Sequence, residues 1–583
     1  ATVNPERTGT KAALWYRLAV APGETAEIRL RLAPEAGELG PAWAETLAAR
    51  AREADEFYAR LAPAATPDEA RVMRQAFGGM LWSKQFYHYD VQRWLEGDPG
   101  QPTPPPARLS GRNATWRHLY NHDIVSMPDK WEYPWYAAWD LAFHCIPLAH
   151  VDPEFAKAQL RLLTREWYMH PDGQLPAYEW NFGDVNPPVH ALAALAVYQI
   201  DGARDRDWLA RVFHKLLLGF TWWASVKDPE GDALFGGGFL GMDNVGPFDR
   251  SAPLPEGQML EQADGTGWMA LYCLSMLEIA LILAAEDSSY EDVAVKFFGH
   301  FTLIARAIND RGLWDEADGF YYDRVRRLSD GAVWPIRVRS MTGLIPLCAV
   351  AVASVDVSDR LPEFSALVAE FLEARPEYRA SVQRTDSHIM LAMVGEDRLP
   401  RILERLADEA EFLSPFGLRS LSAVYRDHPV EFWGSGQIAA TVDYEPAEST
   451  TELYGGNSNW RGPIWFPVNY LVIAALERYA QRFGDELRIE FPLHSGRRLT
   501  LAEITGALAE RLVSIFRERE DGRRPVFGAR ERFQHDPAWH DGLQFHEYFH
   551  GDDGAGLGAS HQTGWTGLVA DMIVRLSNAR RSA

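Results

Sequence analysis

Two carboxylates stand out by their surroundings. Asp243 lies within Gly236-Gly-Gly-Phe-Leu-Gly-Met-Asp-Asn-Val-Gly-Pro-Phe-Asp-Arg250, among glycines and apolar side chains. Gly236, Gly237, Gly238, Gly241 and Gly246, followed by Pro247, exclude a helix and let the backbone come close to a ligand. Phe239, Leu240, Met242 and Val245 would desolvate an acid held there, raise its pKa and keep it protonated as a proton donor. The same residues also read as an Asx turn that only orders the loop. Glu547 lies in Gln544-Phe-His-Glu-Tyr-Phe-His-Gly551, between aromatic residues and two histidines. Cleavage of a glycosidic bond needs two such groups, one to protonate the leaving oxygen and one to activate water or attack the anomeric carbon. On that reading Asp243 is the general acid and Glu547 the general base. His546 and His550 have the four-residue spacing of paired metal ligands, but the aromatic alternation and the following glycines argue against the helix such ligands need. No metal or cofactor is expected.

Other polar residues are grouped with aromatic ones. Trp135-Tyr136-Ala-Ala-Trp139-Asp140 sets a carboxylate at a helix start, where it suits sugar hydroxyls and equally caps the helix. Tyr178-Glu179-Trp180-Asn181 leads through Asn186-Pro187-Pro188 to His190, and Asp264-Gly-Thr-Gly-Trp268 opens another helix. Asn457-Ser-Asn459-Trp460-Arg461-Gly-Pro-Ile-Trp465 combines amides, stacking rings and one cation, a mixture that orients a neutral polar ligand. Arg461 is alternatively placed to hold a catalytic carboxylate through a bidentate pair. The candidate sugar-binding residues are therefore Trp139, Asp140, Glu179, Asn181, Asn186, His190, Trp268, Asn457, Asn459, Trp460, Arg461 and Trp465.

Composition agrees with a carbohydrate partner. Aromatic residues make up 12% of the 583 residues and include 21 tryptophans, a richness suited to stacking on sugar rings. A formal charge of −23 argues against nucleic acid or an anionic membrane as partner. Cys145, Cys273 and Cys348 each lie in an apolar stretch without metal spacing, as in a reducing compartment. No apolar run is read as reaching the roughly 18 residues of a membrane span, and no secretory signal opens the chain, so a cytoplasmic location is expected. The first residue is Ala, which suggests a processed or truncated product. Oligomeric state is not written in the sequence. Neither a phosphate-binding glycine loop nor a Gly-x-Ser-x-Gly elbow occurs.

The elements that must position these residues read as mainly α. Residues 11–32 alternate around Pro22-Gly23 as a β-hairpin, the remnant of a β-domain or a linker over 1–40. From residue 41 onward the periodicity is helical. Long amphipathic patterns cover 42–61 and 67–95, followed by 137–149, 153–169, 187–200, 205–226, 264–286, 290–309, 340–353, 361–373, 386–410, 463–483, 500–519 and 561–579. The aromatic and polar clusters open every second helix. Antiparallel pairing would bring those openings to one face, as in an (α/α)6 toroid over 41–583.

Taken together, the motifs resemble glycoside hydrolase family 63, which includes processing α-glucosidase I, bacterial α-glucosidases and the mannosylglycerate hydrolases. The resemblance covers about 116–576 and is carried by Trp135 to Asp140, Gly241-Met-Asp243-Asn244, Asn457 to Trp465, and Phe545-His-Glu547-Tyr548 with Trp565. The continuation Tyr548-Phe549-His550 departs from the family pattern. The resemblance implies an (α/α)6 barrel, inversion at the anomeric carbon, an acid at Asp243, a base at Glu547 and a sugar pocket containing Asp140. Asn244 and Phe248 would hold the acid's orientation and dryness. The expected activity is hydrolysis of an α-linked glucoside or small oligosaccharide. A sugar isomerase using His144, His190 or His561, or a non-catalytic sugar-binding protein, is the alternative.

Overall fold

The computed structural model describes residues 4–10, 12–35, 39–40, 42–178, 182, 185–228, 230–237, 241–242, 244–250, 254–434, 437–450 and 458–582. They divide into two compact units, Ala1–Arg60 and Leu61–Ala583. In the first, the chain turns at Pro22-Gly23, where the Glu24 N–H donates to the Ala21 carbonyl at 3.0 Å. The expected hairpin does not form. Among the described residues the flanking segments carry no strand ladder, and Trp15 and Leu32 are exposed. Alternation supplies two faces, but two strands alone bury too little to hold a ladder. The helix Ala42–Leu61 buries no residue, and the boundary of the large unit falls at 60/61 rather than 40/41.

The large unit is built from two kinds of helix. The helices Pro67–Trp82 and Leu501–Ser514 start with reciprocal capping boxes, Thr66 with Glu69 and Thr500 with Glu503. Asp152 and Asp205 cap Pro153–Leu163 and Arg206–Val226. In contrast, Ala138–Leu148, His190–Ile200, Ala263–Ala284 and Phe466–Phe483 have no side-chain cap and begin in buried surroundings. The first three of these are apolar nearly all round, which suits a helix enclosed by others.

The uncapped helices follow one another in space. Ala138–Leu148 packs on His190–Ile200, that on Ala263–Ala284, that on the short helix Ile345–Cys348, and that on Phe466–Phe483. Phe466–Phe483 packs on Leu568–Ser582, which returns to Ala138–Leu148. The capped helices lie behind them, Pro153–Leu163 on the first two, Arg206–Val226 on the next two, and Leu501–Ser514 on the last pair. Ser289–Asp310 backs Ala263–Ala284 in the same way.

Three expected helices are wrong in part. The pattern over 67–95 breaks at Trp82, and Lys84–Asp90 pairs antiparallel with Tyr120–Ser126, setting Phe86 opposite Ile124 and His88 opposite His122. Over 340–353 only Ile345–Cys348 is α-helical, and Val350–Ser354 is a strand. Over 386–410 the strand His388–Ala392 precedes the helix Leu399–Ala407. Short apolar runs do not distinguish strand from helix by period, and strands are more frequent here than the sequence pattern indicates. Ala263–Ala284, with a mean hydropathy of 1.8, is also long and apolar enough to cross a membrane by length and composition, contrary to the sequence reading. It is enclosed by protein, with 83% of an 18-residue stretch of it buried.

Candidate active site

Glu547 sits in an extended segment held from both sides. Phe545 and Glu547 donate their N–H groups to the carbonyls of His561 and Ala559, and Phe549 exchanges backbone bonds with Ile464. The alternating aromatic residues Phe545, Tyr548 and Phe549 favour this pleated conformation. The Ser458 hydroxyl donates to Glu547 Oε1 at 3.2 Å, and the Ala559 N–H to Oε2 at 3.2 Å. Gly558 has a φ of 66°, and a Cβ there would stand 2.5 Å from Oε2, so only glycine admits this approach. Burial pushes the Glu547 carboxyl up to about 7. The Ala559 N–H and Ser458 hydroxyl pull it back, while the charges of Asp140 and Glu448 push it further.

Asp140, in the first turn of Ala138–Leu148, is likewise buried and is raised to about 7 by burial. Among the described residues, the main influences on the two carboxyls include no lysine or arginine. Glu448 stands alongside, accepting from the Tyr548 hydroxyl at 2.8 Å and the Gly558 N–H at 3.1 Å.

Asp243, Glu179, Asn181 and Asn457 lie outside the described residues. The residues flanking Asp243 are fixed by several contacts. Gly241 has a φ of 76°, and a Cβ there would meet Trp139 Cζ2 at 2.6 Å. Asn244 accepts from the Trp460 N–H at 2.7 Å and donates to Asn459 Oδ1 at 3.1 Å. Arg461 Nε donates to the Asn244 carbonyl at 2.7 Å, and its Nη2 to the Gly246 carbonyl at 3.1 Å. Beyond the loop, buried Arg250 is bound to Asp264 at 2.6 Å, tying its end to the start of Ala263–Ala284.

Rings from three of the five helix openings meet, those of Trp139, Trp465 and Trp565. Trp139 meets Trp565 edge-on at 5.3 Å, and the Trp565 indole N–H donates to the Glu547 carbonyl at 2.9 Å. The loop that bears Asp243 and the segment that bears Glu547 therefore share one aromatic cluster. Several residues assigned to sugar binding have other work. Trp465 stacks on Trp460 at 3.9 Å and on Tyr548 at 4.4 Å, which covers both faces. Asn459 donates to the Glu445 and Ala447 carbonyls, both at 2.7 Å, and accepts from Asn244 and the Arg461 N–H. Arg461 is buried on loop carbonyls rather than paired bidentately with a catalytic carboxylate. These three shape the site from behind.

The sequence matches the family described as mannosylglycerate hydrolase MGH1-like glycoside hydrolase domain over residues 133–372 and 388–566. The chain belongs to that family. The match spans every segment just described and agrees with the family 63 resemblance of the motifs. The chain is 47% identical over 614 aligned residues to YMR196W, an uncharacterized protein of Saccharomyces cerevisiae, covering 98% of this chain and 56% of that relative. It thus spans little more than half of the yeast protein. Mannosylglycerate hydrolase MGH1 of Selaginella moellendorffii is 24% identical over 392 residues, 61% of this chain and 72% of the plant protein. A solved GH63 mannosylglycerate hydrolase from Thermus thermophilus, in complex with glucose, is similar at a TM-score of 0.45 and 18% identity, covering 77% of this chain and 95% of that one.

The remaining candidates make no printed contact with the Glu547 side chain among the described residues. Asn186 donates to the Ala177 carbonyl at 3.2 Å, and with His190 it lines a cavity of about 30 Å³ beside Ala138 and Tyr272. Trp268 is buried in its helix and has no ring contact with the Trp139 cluster among the described residues. Burial lowers His190 to about 4 and His144 to about 3, so both are neutral. His144 packs against Gly564 and shares a hydrogen bond of 3.1 Å with the Ser126 hydroxyl. His561 faces Asp129 at 3.1 Å, and burial lowers its pKa. The sequence alone does not single out Ser458 or Glu448. Ser458 stands between two amides in a motif already marked, whereas nothing distinguishes Glu448 from a surface acid.

Proposed function

We propose that this domain is an inverting glycoside hydrolase acting on an α-linked glucoside or small oligosaccharide. The observation that carries the reading is Glu547, a buried carboxylate raised to about 7, with Asp140 close enough to perturb it and no lysine or arginine among the main influences on either within the described residues. A base of this kind is matched to proton abstraction near neutrality. Glu547 would take a proton from water while Asp243, in the loop tied down by Asn244 and Arg461, protonates the leaving oxygen. Inversion requires the two carboxyls to stand roughly 6.5–9.5 Å apart with the water between them. The closed succession of uncapped helices, backed by capped ones, supports reading the domain as an (α/α)6 barrel with the site at the uncapped ends.

The names of the relatives keep mannosylglycerate in view, so a panel of α-linked disaccharides and glycosyl-glycerates is the assay of choice. Following the anomer first released by proton NMR tests the mechanism. Release of the retained anomer would overturn inversion, and cleavage of mannosylglycerate alone would overturn the glucoside assignment while leaving hydrolysis standing. The isomerase alternative has less support, because His144 and His190 are neutral core residues.

A further inference from the structure

A second cavity, of about 380 Å³, lies along the other half of the Ala263–Ala284 helix. Leu277, Glu278 and Leu281 form one wall, with Glu278 roughly 20 Å along the helix axis from Asp264 at about 1.5 Å per residue. A three-stranded sheet supplies the second wall, ordered Val350–Ser354, His388–Ala392, Val382–Arg384. Ala353, Ile389 and Arg384 form one rung, and Ala351, Leu391 and Val382 the rung two residues on, so all six share one face. The third wall is the helix Pro362–Ala374, which turns Phe364, Val368 and Leu372 to the cavity.

This is an unusual place to leave space. A helix stripe and a sheet face of this composition normally close on each other, because interiors pack to crystal density with few voids larger than water. Here Phe364 is the only residue of Pro362–Ala374 that becomes buried. The volume falls in the range of about 300–1,000 Å³ typical of small-ligand sites. Its lining is largely aliphatic with Phe298 and Phe364, and Ser358 and Ser365 are too few to pair the hydroxyls of a sugar. Charge then narrows the ligand. Arg379 and Arg384 line the cavity from exposed positions, and neither makes an ion pair among the described residues. Glu278 is occupied by Arg478 at 2.6 Å, which also donates to the Val350 carbonyl. Arg379 and Arg384 thus set two cations beside an apolar cleft.

We propose that this cavity binds an amphipathic anion, an unbranched aliphatic chain seated between helix and sheet with its anionic head group against Arg379 and Arg384. A carboxylate and a phosphate head share this chemistry. The test is calorimetric titration of the whole chain with octanoate, decanoate, dodecanoate, dodecyl phosphate and dodecanol, each below its micelle concentration. Dodecanoate or dodecyl phosphate should bind at one site per chain, with affinity rising about fourfold per methylene across the carboxylates. Comparison at equal chain length tells a carboxylate head from a phosphate head, and binding of either upholds the site. The double variant Arg379→Glu/Arg384→Glu should weaken binding of the anions by at least about tenfold, leaving dodecanol and glycoside hydrolysis unchanged. Val368→Trp, which fills the cavity, should abolish binding of all probes. If that variant melts early, Ala369→Trp at the more exposed lining position replaces it. Dodecanol binding as tightly as both anions would overturn the proposal. So would dodecanoate binding that survives the filled cavity, or no binding of any probe.

Discussion

Glu69 and Asp571 are as deeply buried as Glu547 and Asp140, yet they titrate in the opposite direction. The four are 1%, 2%, 5% and 9% exposed. Burial pushes each of them up. At Glu69 two Arg580 hydrogen bonds, of 2.6 and 2.8 Å, the Thr66 N–H and the Arg517 charge more than offset it, leaving the carboxyl at about 2. At Asp571, Arg575 at 2.6 Å and His150 at 2.8 Å bring it well below the usual carboxylate range. Glu547 receives only a hydroxyl and an N–H, and stands near further negative charge. Among the described residues, the fold thus sets cations against Glu69 and Asp571, and none is among the main influences on Glu547 and Asp140. Buried carboxyls raised in this way mark a working site more specifically than burial alone.

The comparison breaks most decisively at Glu547. Glu547→Gln should lower turnover by roughly 10²–10⁴-fold, the usual contribution of a general base, with the melting temperature unchanged or raised. Near-normal turnover would place the base elsewhere, with Asp140 next in line. The mirror-image change is Asp571→Asn, which leaves Arg575 and His150 facing a neutral group. Breaking a buried pair costs about 3–5 kcal/mol, reduced here to about 2 kcal/mol because the Arg575 side chain is 34% exposed. The urea midpoint should fall by that amount with kcat retained. A large loss of kcat at unchanged stability would erase the distinction between the two groups.

Stability against pH sharpens it further. Raised carboxyls stabilise the fold fully below the unfolded range near 4, and that contribution is lost as pH rises to about 7. The Asp140→Asn/Glu547→Gln variant should therefore gain melting temperature over the parent chain between about pH 4 and 7. Glu69 works the other way: its contribution is present above about pH 4 and is lost as pH falls through about 2. Parallel melting curves for parent and variant across pH 4–7 would mean that Glu547 and Asp140 are neutralised by something else.

Much of this arrangement is legible in the sequence, for identifiable reasons. Pro, Asp and Thr-x-x-Glu signals mark the capped helices, and aromatic clusters mark the starts of several uncapped ones. What the sequence hides is direction. Trp465 and Asn459 read as ligand-facing because rings and amides suit sugars, but Trp465 is covered on both faces and Asn459 is saturated by backbone groups. Nothing in a sequence says which partner a side chain has already taken. The strands at 350–354 and 388–392 were concealed by apolar runs too short to show a period. The significance of Glu448 depends on a chain reversal that brings residue 448 beside Gly558.

A smaller effect is expected at Asn244, which joins the Asp243 loop to the segment bearing Ser458. Asn244→Ala leaves the Trp460 N–H without its acceptor and should lower kcat about tenfold, with KM little changed. Asn244→Asp restores an acceptor but not the donor to Asn459, and should recover part of the loss. A rise in KM alone would make Asn244 a sugar-binding residue instead.

The smallest effects test the origin of the Glu547 shift itself. Ser458 donates to the carboxylate and so favours its ionised form, whereas the charge of Glu448 opposes it. If Glu547 is the base, kcat/KM should fall as pH drops through about 7, because only the ionised carboxylate accepts the proton. Ser458→Ala should move that limb to higher pH and Glu448→Gln to lower pH, each by less than about one unit. The opposite signs matter more than the sizes. Loosened packing would lower the rate in both variants without moving the limb, and two shifts in the same direction would mean that the limb reports another group.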